Sequence, residues 1–229
     1  MIVDTAFKVY ADANGGDPDS VSPTLRLYHK ILWSKPLPNG KGFELEDNKT
    51  GFYLYHKSER GEFHLGSDAI THSYRNQKRK QWLIQQIPNE ANDLFEIGST
   101  IGSYIIFPKN KIDNKFTINQ ARGINSLIDD RFDLTLECIR LFYLGQQSPL
   151  YETLLRYKNF FELFDNFKGY VNFFLLNDLL DDIENIKFYL PFDNFKTKSE
   201  INNIEEYLVY KNGVMNFVEA RNKRIALHS

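Results

Sequence analysis

The hydrophobic period of this chain changes along its length, and that change constrains the fold more than any other feature. Between residues 42 and 65 apolar and polar residues alternate, in "GFELED", "GFYLYHK" and "GEFHLG". A period of two places alternate side chains on opposite faces of a strand. The "NKTG" and "SERG" stretches between these runs read as turns, so the three form an antiparallel meander. "SYIIFP" at 103–108 reads as a further apolar strand. After residue 117 the spacing becomes helical, with helices expected at about 117–124, 126–144, 149–165 and 168–182.

Caps and breakers fill in the remainder. Ser22-Pro23 and Ser148-Pro149 each place an N-cap residue before a proline at the first helical position. "SKPLPNGKG" ends the first of these helices. Residues 5–10, "TAFKVY", read as a short strand. A polar helix is expected from near Ser67 through "ITHSYRNQKRKQWLIQQI", with Pro88 ending or restarting it, and "NEANDLFEIGS" gives another short helix. "IKFYLPF" reads as extended. Ser199 is expected to cap a C-terminal helix with Ile201, Ile204, Leu208, Met215 and Val218 on one stripe. The expectation is one α+β domain over 1–229, mixed over 1–116 and mainly helical over 117–229.

Composition excludes several function classes. A formal net charge of −2 and a pI near 6.2 are unlike a general nucleic-acid or membrane-surface binder, so any such binding needs a local patch. One cysteine, Cys138, forbids an internal disulfide and a Cys-rich zinc site. It falls on the apolar part of its helix, as a buried inert thiol would. The N-terminus has no signal-peptide pattern, and the longest apolar run, "FFLL" at 173–176, cannot span a membrane. A cytoplasmic protein without a membrane partner is expected. Aromatics make up 15% of the chain, enough for a thick core with rings left over for clefts or interfaces.

The stretch "ARGINSLIDDRFDLTLECIR", 121–140, carries both signs of charge among apolar residues. On a helical wheel over 127–143 the apolar residues cover roughly three quarters of the circumference. Asp129, Asp133, Glu137 and Arg140 fall in one narrow strip. Three readings are open. The strip is the helix's line of contact with water; or it lines a cleft, where acids shift pKa and act as bases; or it forms an ion-pair network with Arg122. Carboxylates one turn apart also allow Mg²⁺ through water, although no metal motif or cofactor is evident.

"SPTLRLYHKILWSKPLPNG" at 22–40 and "NQARGINSLIDDRFDLTLECIRLFYLG" at 119–145 resemble blocks of an uncharacterised bacterial family, a domain of unknown function. The resemblance extends to about "FYLPFDNF". It implies a bacterial or phage origin and a single domain, and brings no activity with it.

Other candidates are scattered. His56 and His64 lie in the meander, where they could face each other across the "KSERG" turn as an acid–base pair or stand as polar strand residues. His29, with Arg26 and Lys35, could hold a phosphate or belong to a solvated basic face. In "YRNQKRKQW", 74–82, Arg75, Arg79 and Trp82 share a helical sector beside Lys78, the composition of a patch for RNA or single-stranded DNA. The alternative is a solvated face with Trp82 in the core. "GSTIGS" at 98–103 reads as a turn of close backbone approach. The leading functional expectation is an enzyme on a phosphate-bearing substrate, a nucleotide or nucleic acid. Its catalytic candidates are Asp129, Asp133, Glu137, His56 and His64; its binding candidates are Arg75, Arg79, Trp82, Arg122, Arg26 and His29. A protein-binding domain and an enzyme on another small molecule are the alternatives.

Overall fold

The computed structural model describes residues 2–47, 53–181 and 185–228. It is an α+β fold: antiparallel sheets in the N-terminal half, mostly helices after residue 110, and a long C-terminal helix packed back on the helix at 88–98 and the 3₁₀ turn at 101–103. Strands β1 (Lys35–Pro36) and β2 (Gly42–Phe43) pair separately. Strands β3 (Glu46–Asp47), β4 (Leu54–Ser58), β5 (Gly61–Ala69) and β6 (Tyr104–Pro108) form a four-stranded antiparallel sheet in chain order. The expected meander is present over residues 54–65, with Gly61 (φ 133°) supplying the turn conformation that L side chains rarely adopt. The "NKTG" turn lies outside the described residues.

Helix α1 (Pro18–Val21) leads directly into α2 (Pro23–Trp33), and Ser22 caps α2 by accepting from Leu25 N–H at 3.1 Å. Short α3 (Gln81–Ile84) and α4 (Pro88–Gly98) precede β6. After it come α5 (Ile118–Ile124), α6 (Phe132–Tyr143), α7 (Tyr151–Arg156), α8 (Lys158–Phe161), α9 (Phe167–Phe173) and α10 (Ile204–His228). The aromatic surplus is spent in the core, where Phe160, Phe161, Phe164, Tyr170, Phe173 and Phe174 stack edge-to-face and tilted against one another and reach Trp33.

Several expectations needed correction. Residues 5–10 make no strand; the chain turns into a 3₁₀ segment at Val9–Asp12, held by Val9 N–H on Ser99 O. The polar helix from Ser67 is absent, because β5 continues to Ala69 by pairing with β6. Tyr74, at φ 59°, then interrupts the chain, and between Ala69 and Pro88 the one α-helix is α3. The helix expected at 126–144 begins at Phe132. Asp129 (φ 46°) and Asp130 (φ 62°) precede it in the left-handed region, which aspartate tolerates better than most residues. The single helix expected at 149–165 is broken into α7, α8 and a 3₁₀ turn.

Helix α10 starts at Ile204 rather than at Ser199. Asn203 Oδ1 accepts from Glu206 N–H at 2.8 Å and is the cap, while the Ser199 hydroxyl donates to Leu127 O. Its buried stripe is Tyr207, Tyr210, Val214, Phe217, Val218, Arg221 and Ile225, largely aromatic and shifted from the expected one. Arg221 is wholly buried and donates to the carbonyls of Gly102, Tyr104 and Phe174 at 2.8–3.3 Å, tying α10 to β6 and to the end of α9. Gly102, from the "GSTIGS" turn, allows that approach: a Cβ there would stand 2.6 Å from Asn222 Oδ1. Replacing Asn203 by Ala should cost about 1 kcal/mol, read as a small drop in melting temperature. An unchanged melt would move the helix start elsewhere.

Candidate functional site

The charged strip of 129–140 resolves into separate ion pairs on buried ground. Asp133 is fully buried; it accepts from Arg131 Nε at 3.2 Å and Nη2 at 2.6 Å, and from Tyr189 N–H at 2.9 Å. Glu137 takes both bonds of Arg140 at 2.8 Å. Asp129 pairs with Arg79; burial raises its pKa against that cation's pull, and its Oδ2 is enclosed without a hydrogen bond. Arg122 is a buried latch, donating to Ala69 O and Asp130 O at 2.9 Å. The carboxylates are thus committed to arginines, and none of the three borders the cleft described below.

The histidines are equally dispersed. His56 opposes Phe63 and His64 opposes Tyr55, so the two imidazoles lie on opposite faces of the sheet and do not meet. His56 Nδ1 donates to Glu44 O at 2.9 Å, its ring packs 4.1 Å from Phe43, and burial lowers its pKa. His29 is enclosed between Trp33 and Ser67. Arg26 lies over the Tyr53 ring at 4.5 Å with its Nε buried and without a hydrogen bond, while Lys35 packs over Trp33 and Phe173 instead of joining Arg26.

The basic run is not a helical sector, since only 81–84 is α-helical there. Arg75 stacks on Phe95 at 4.0 Å and donates to Asn92; Arg79 is held by Asp129 and Glu200; Lys80 is buried on Ile201 O. Trp82 is 52% exposed. Cys138 is buried, which pushes its thiol up to about 12.

A different set of residues does converge. Among the described residues the β4–β5 pairing runs to Leu54–Leu65. Helix α1 packs against β5, and Asp19 accepts from Ala69 N–H at 3.1 Å. On the other side, Lys109 extends the β5–β6 ladder by one bond, its N–H donating to His64 O at 2.8 Å. The Lys109 stem crosses Gly66 so closely that a Cβ there would stand 2.7 Å from its Cδ. These elements and the start of α5 enclose a polar cleft of about 270 Å³. Gly66, Ser67 and Asp68 border it from β5, Asp17 and Asp19 from α1, and Lys109, Lys111 and Gln120 from the opposite side.

Two carboxyls in this cleft are strongly perturbed. Asp68 is 5% exposed, and no group among the described residues donates a hydrogen bond to it. Burial raises its pKa well above the usual carboxylate range; Arg122 and Lys109 oppose that, while Asp19 and Asp130 add to it. Asp19 is raised to about 7, by burial first and then by Asp17, against Ala69 N–H, Arg122 and Lys109. Carboxyls that hold protons near neutrality are suited to general acid and base work. Lysines at the same cleft supply positive charge for an anionic group. Among the described residues no three His, Cys, Asp or Glu side chains are placed to hold one metal ion.

None of these four residues was a candidate from sequence. The alternating pattern of "GEFHLG" ends at Gly66, which puts Asp68 in the expected polar helix. Continuing it two residues would have put a carboxylate on the face of the sheet shared with Gly66.

Residues 3–225 match a family of unknown function (DUF6994), and the chain belongs to that family. Compared with curated proteins and with solved structures, the chain matches none. No helix among the described residues is long and apolar enough to cross a membrane.

Proposed function

We propose that this member of a family of unknown function is an enzyme that moves a proton on a small phosphate-bearing substrate held in the α1–β5–α5 cleft. The observation that carries the reading is the convergence of Asp19 and Asp68 with Lys109 and Lys111 in one polar cleft. In this reading the lysines hold the phosphate, Asp19 exchanges the proton near neutral pH, and Asp68 serves as the neutral acid beneath it. A nucleotide fits the charge of the site; its base would extend beyond the cleft. A cytoplasmic, bacterial setting belongs to the same proposal.

Two alternatives have less support. RNA or single-stranded DNA binding through 74–82 draws on Trp82 and Lys78, with Arg75, Arg79 and Lys80 already engaged. A protein partner would need a contiguous apolar surface, whereas the exposed large apolar residues, such as Ile2, Trp82, Ile124, Leu144 and Leu227, are spread along the chain.

The test is a titration of inorganic phosphate and of a nucleoside monophosphate, followed through the ¹³C carboxyl signals of the aspartates. Millimolar or tighter binding that shifts the Asp19 and Asp68 signals is expected, with free Asp19 titrating at about 7. An Asp19 that titrates at about 4, like an ordinary carboxylate, would refute the acid–base role. Absence of binding by either probe would remove the cleft as a phosphate site.

A further inference from the structure

A second hollow, of about 190 Å³, lies between the end of β5, the 71–76 segment, the last turn of α4 and Tyr104. It shares no lining residue with the α1–β5–α5 cleft, so it stands or falls independently of the function proposed above. A hollow of that size holds several waters or one small organic group.

Its histidine has a fixed tautomer. Arg79 Nε lies 3.1 Å from Gln77 Oε1, and Gln77 Nε2 lies 2.8 Å from His72 Nε2. A guanidinium only donates, so the Gln77 atom that faces it is the carbonyl oxygen. The Gln77 amide nitrogen then faces His72 and donates, which makes His72 Nε2 an acceptor. Burial holds the His72 pKa below the ordinary value, and the neutral ring keeps its one proton on Nδ1. The nearby Asp129 and Asp130 are each paired with an arginine, Arg79 and Arg122. His72 Nδ1 has no partner among the described residues and is not enclosed, so its N–H is left for a ligand.

The hollow is short of acceptors. The carbonyls of His72 and Ser73 take the hydroxyls of Tyr210 and Tyr207 at 3.0 and 2.9 Å. Phe95 O takes the Ser99 hydroxyl at 2.7 Å, which also offsets the negative end of α4. Donors remain. Besides His72 Nδ1–H there is the Thr71 hydroxyl, set so close to Gly98 that a Cβ there would stand 2.9 Å from its Oγ1. Arg75 adds a positive charge. Its guanidinium lies 4.0 Å over the Phe95 ring and gives Nη1 to Asn92 Oδ1 at 2.8 Å, while Nε and Nη2 have no partner among the described residues. Leu94, Phe95 and Tyr104 supply apolar wall.

We propose that this hollow binds a small organic carboxylate, with the carboxylate on Arg75 and His72 Nδ1–H and its apolar part against Leu94, Phe95 and Tyr104. One free guanidinium matches one negative charge, and a donor-rich lining matches a group that only accepts. His72 is a binding residue and not a base, because its one lone pair is given to Gln77. Gln77 and Arg79 are positioning residues that hold the imidazole in the donor tautomer and touch no ligand.

The probe is benzoate, with benzamide as its neutral counterpart and inorganic phosphate as the other anion. Long-range ¹H–¹⁵N spectra at about pH 8 should show His72 as the neutral tautomer protonated at Nδ1. A proton on Nε2 would overturn the proposal. Gln77→Met should let the Nε2-protonated tautomer appear, and a ring unchanged in that variant removes Gln77 and Arg79 from the relay. Benzoate should bind at millimolar concentration or tighter and shift the His72 signals, with benzamide at least about tenfold weaker. Arg75→Gln, a change at an exposed residue, should weaken benzoate about ten- to a hundredfold, the loss of a hydrogen bond between charged groups. No binding of benzoate, equal binding of benzamide, or equal binding by Arg75→Gln overturns the site. Phosphate binding in place of benzoate overturns the ligand class. Lys109→Gln should leave the benzoate response unchanged; its loss there would put the anion in the α1–β5–α5 cleft and overturn a separate site. Should Arg75→Gln fold poorly, the contrast of benzoate with benzamide in the wild type still decides.

Discussion

Asp133→Asn should unfold with a loss of about 3–5 kcal/mol, the cost of breaking a buried ion pair from one side. In a chain of this length that lowers the melting temperature by roughly 6–20 °C. The reason is the arrangement around the carboxylate. Both oxygens are used: Oδ1 by Arg131 Nε, Oδ2 by Arg131 Nη2 and Tyr189 N–H. Burial works against the Arg131 guanidinium, and the Asp133 charge and hydrogen bonds more than offset it. An asparagine keeps one acceptor oxygen, turns an NH₂ toward donors, and leaves Arg131 charged and buried. The Tyr189 bond matters beyond its own strength, because it fastens the 185–203 connection to the start of α6. A thermal melt checks the result. A variant within a degree or two of the wild type would mean that Arg131 finds another partner. A stabilised variant would restore the strip to consideration as a strained site.

This outcome bears on what the sequence could convey. The wheel over 127–143 correctly placed Phe132, Leu136 and Ile139 in the core, and the same three-quarter apolar circumference left no room for a wet strip. Which arginine each acid would take was not legible. Arg79 reaches Asp129 from 50 positions away, and Arg131 precedes the helix it neutralises. The meander was legible because period two and the Gly61 turn are local signals. The extension of β5 to Ala69 was not, because its bonds come from β6, more than thirty residues later. That same long-range ladder brings Lys109 across Gly66 and beside Asp68. The candidate cleft was therefore hidden for the reason the strand end was. Local pattern marks elements, while convergence of charged side chains depends on pairings between distant segments. His29 was singled out from sequence for the charge around it, whereas its place in the structure follows from Trp33 one turn later and Ser67 on the sheet.

Asp19→Asn should make the protein more stable at pH 8 and leave it close to wild type at pH 4. Asp19 has an ordinary pKa of about 3.8 when unfolded and about 7 in the cleft. Between those values the folded chain holds a proton that the unfolded chain has released. Stability from Asp19 is thus fully present below about pH 4 and is lost as pH rises through about 7. The full difference corresponds to about 4 kcal/mol, and solvent at the cleft mouth reduces it, so a gain of about 2–4 kcal/mol is expected for the variant at pH 8. Asparagine does not titrate, and its Oδ1 can still accept from Ala69 N–H, so that bond to β5 is kept. Asp68 remains in the variant and is raised in the same direction, so its stability should still fall with pH, only less steeply. Urea melts of both proteins at pH 4, 6 and 8 measure the three differences. With the proton carrier removed, the stabilised variant should also lose turnover of the phosphate-bearing substrate, the exchange of stability for function expected where acids are crowded into a cleft. A variant less stable than wild type at pH 8 would show that Asp19 is charged and well paired there. Asp19 would then be a structural tie between α1 and β5, and the proton would have to be carried by another group.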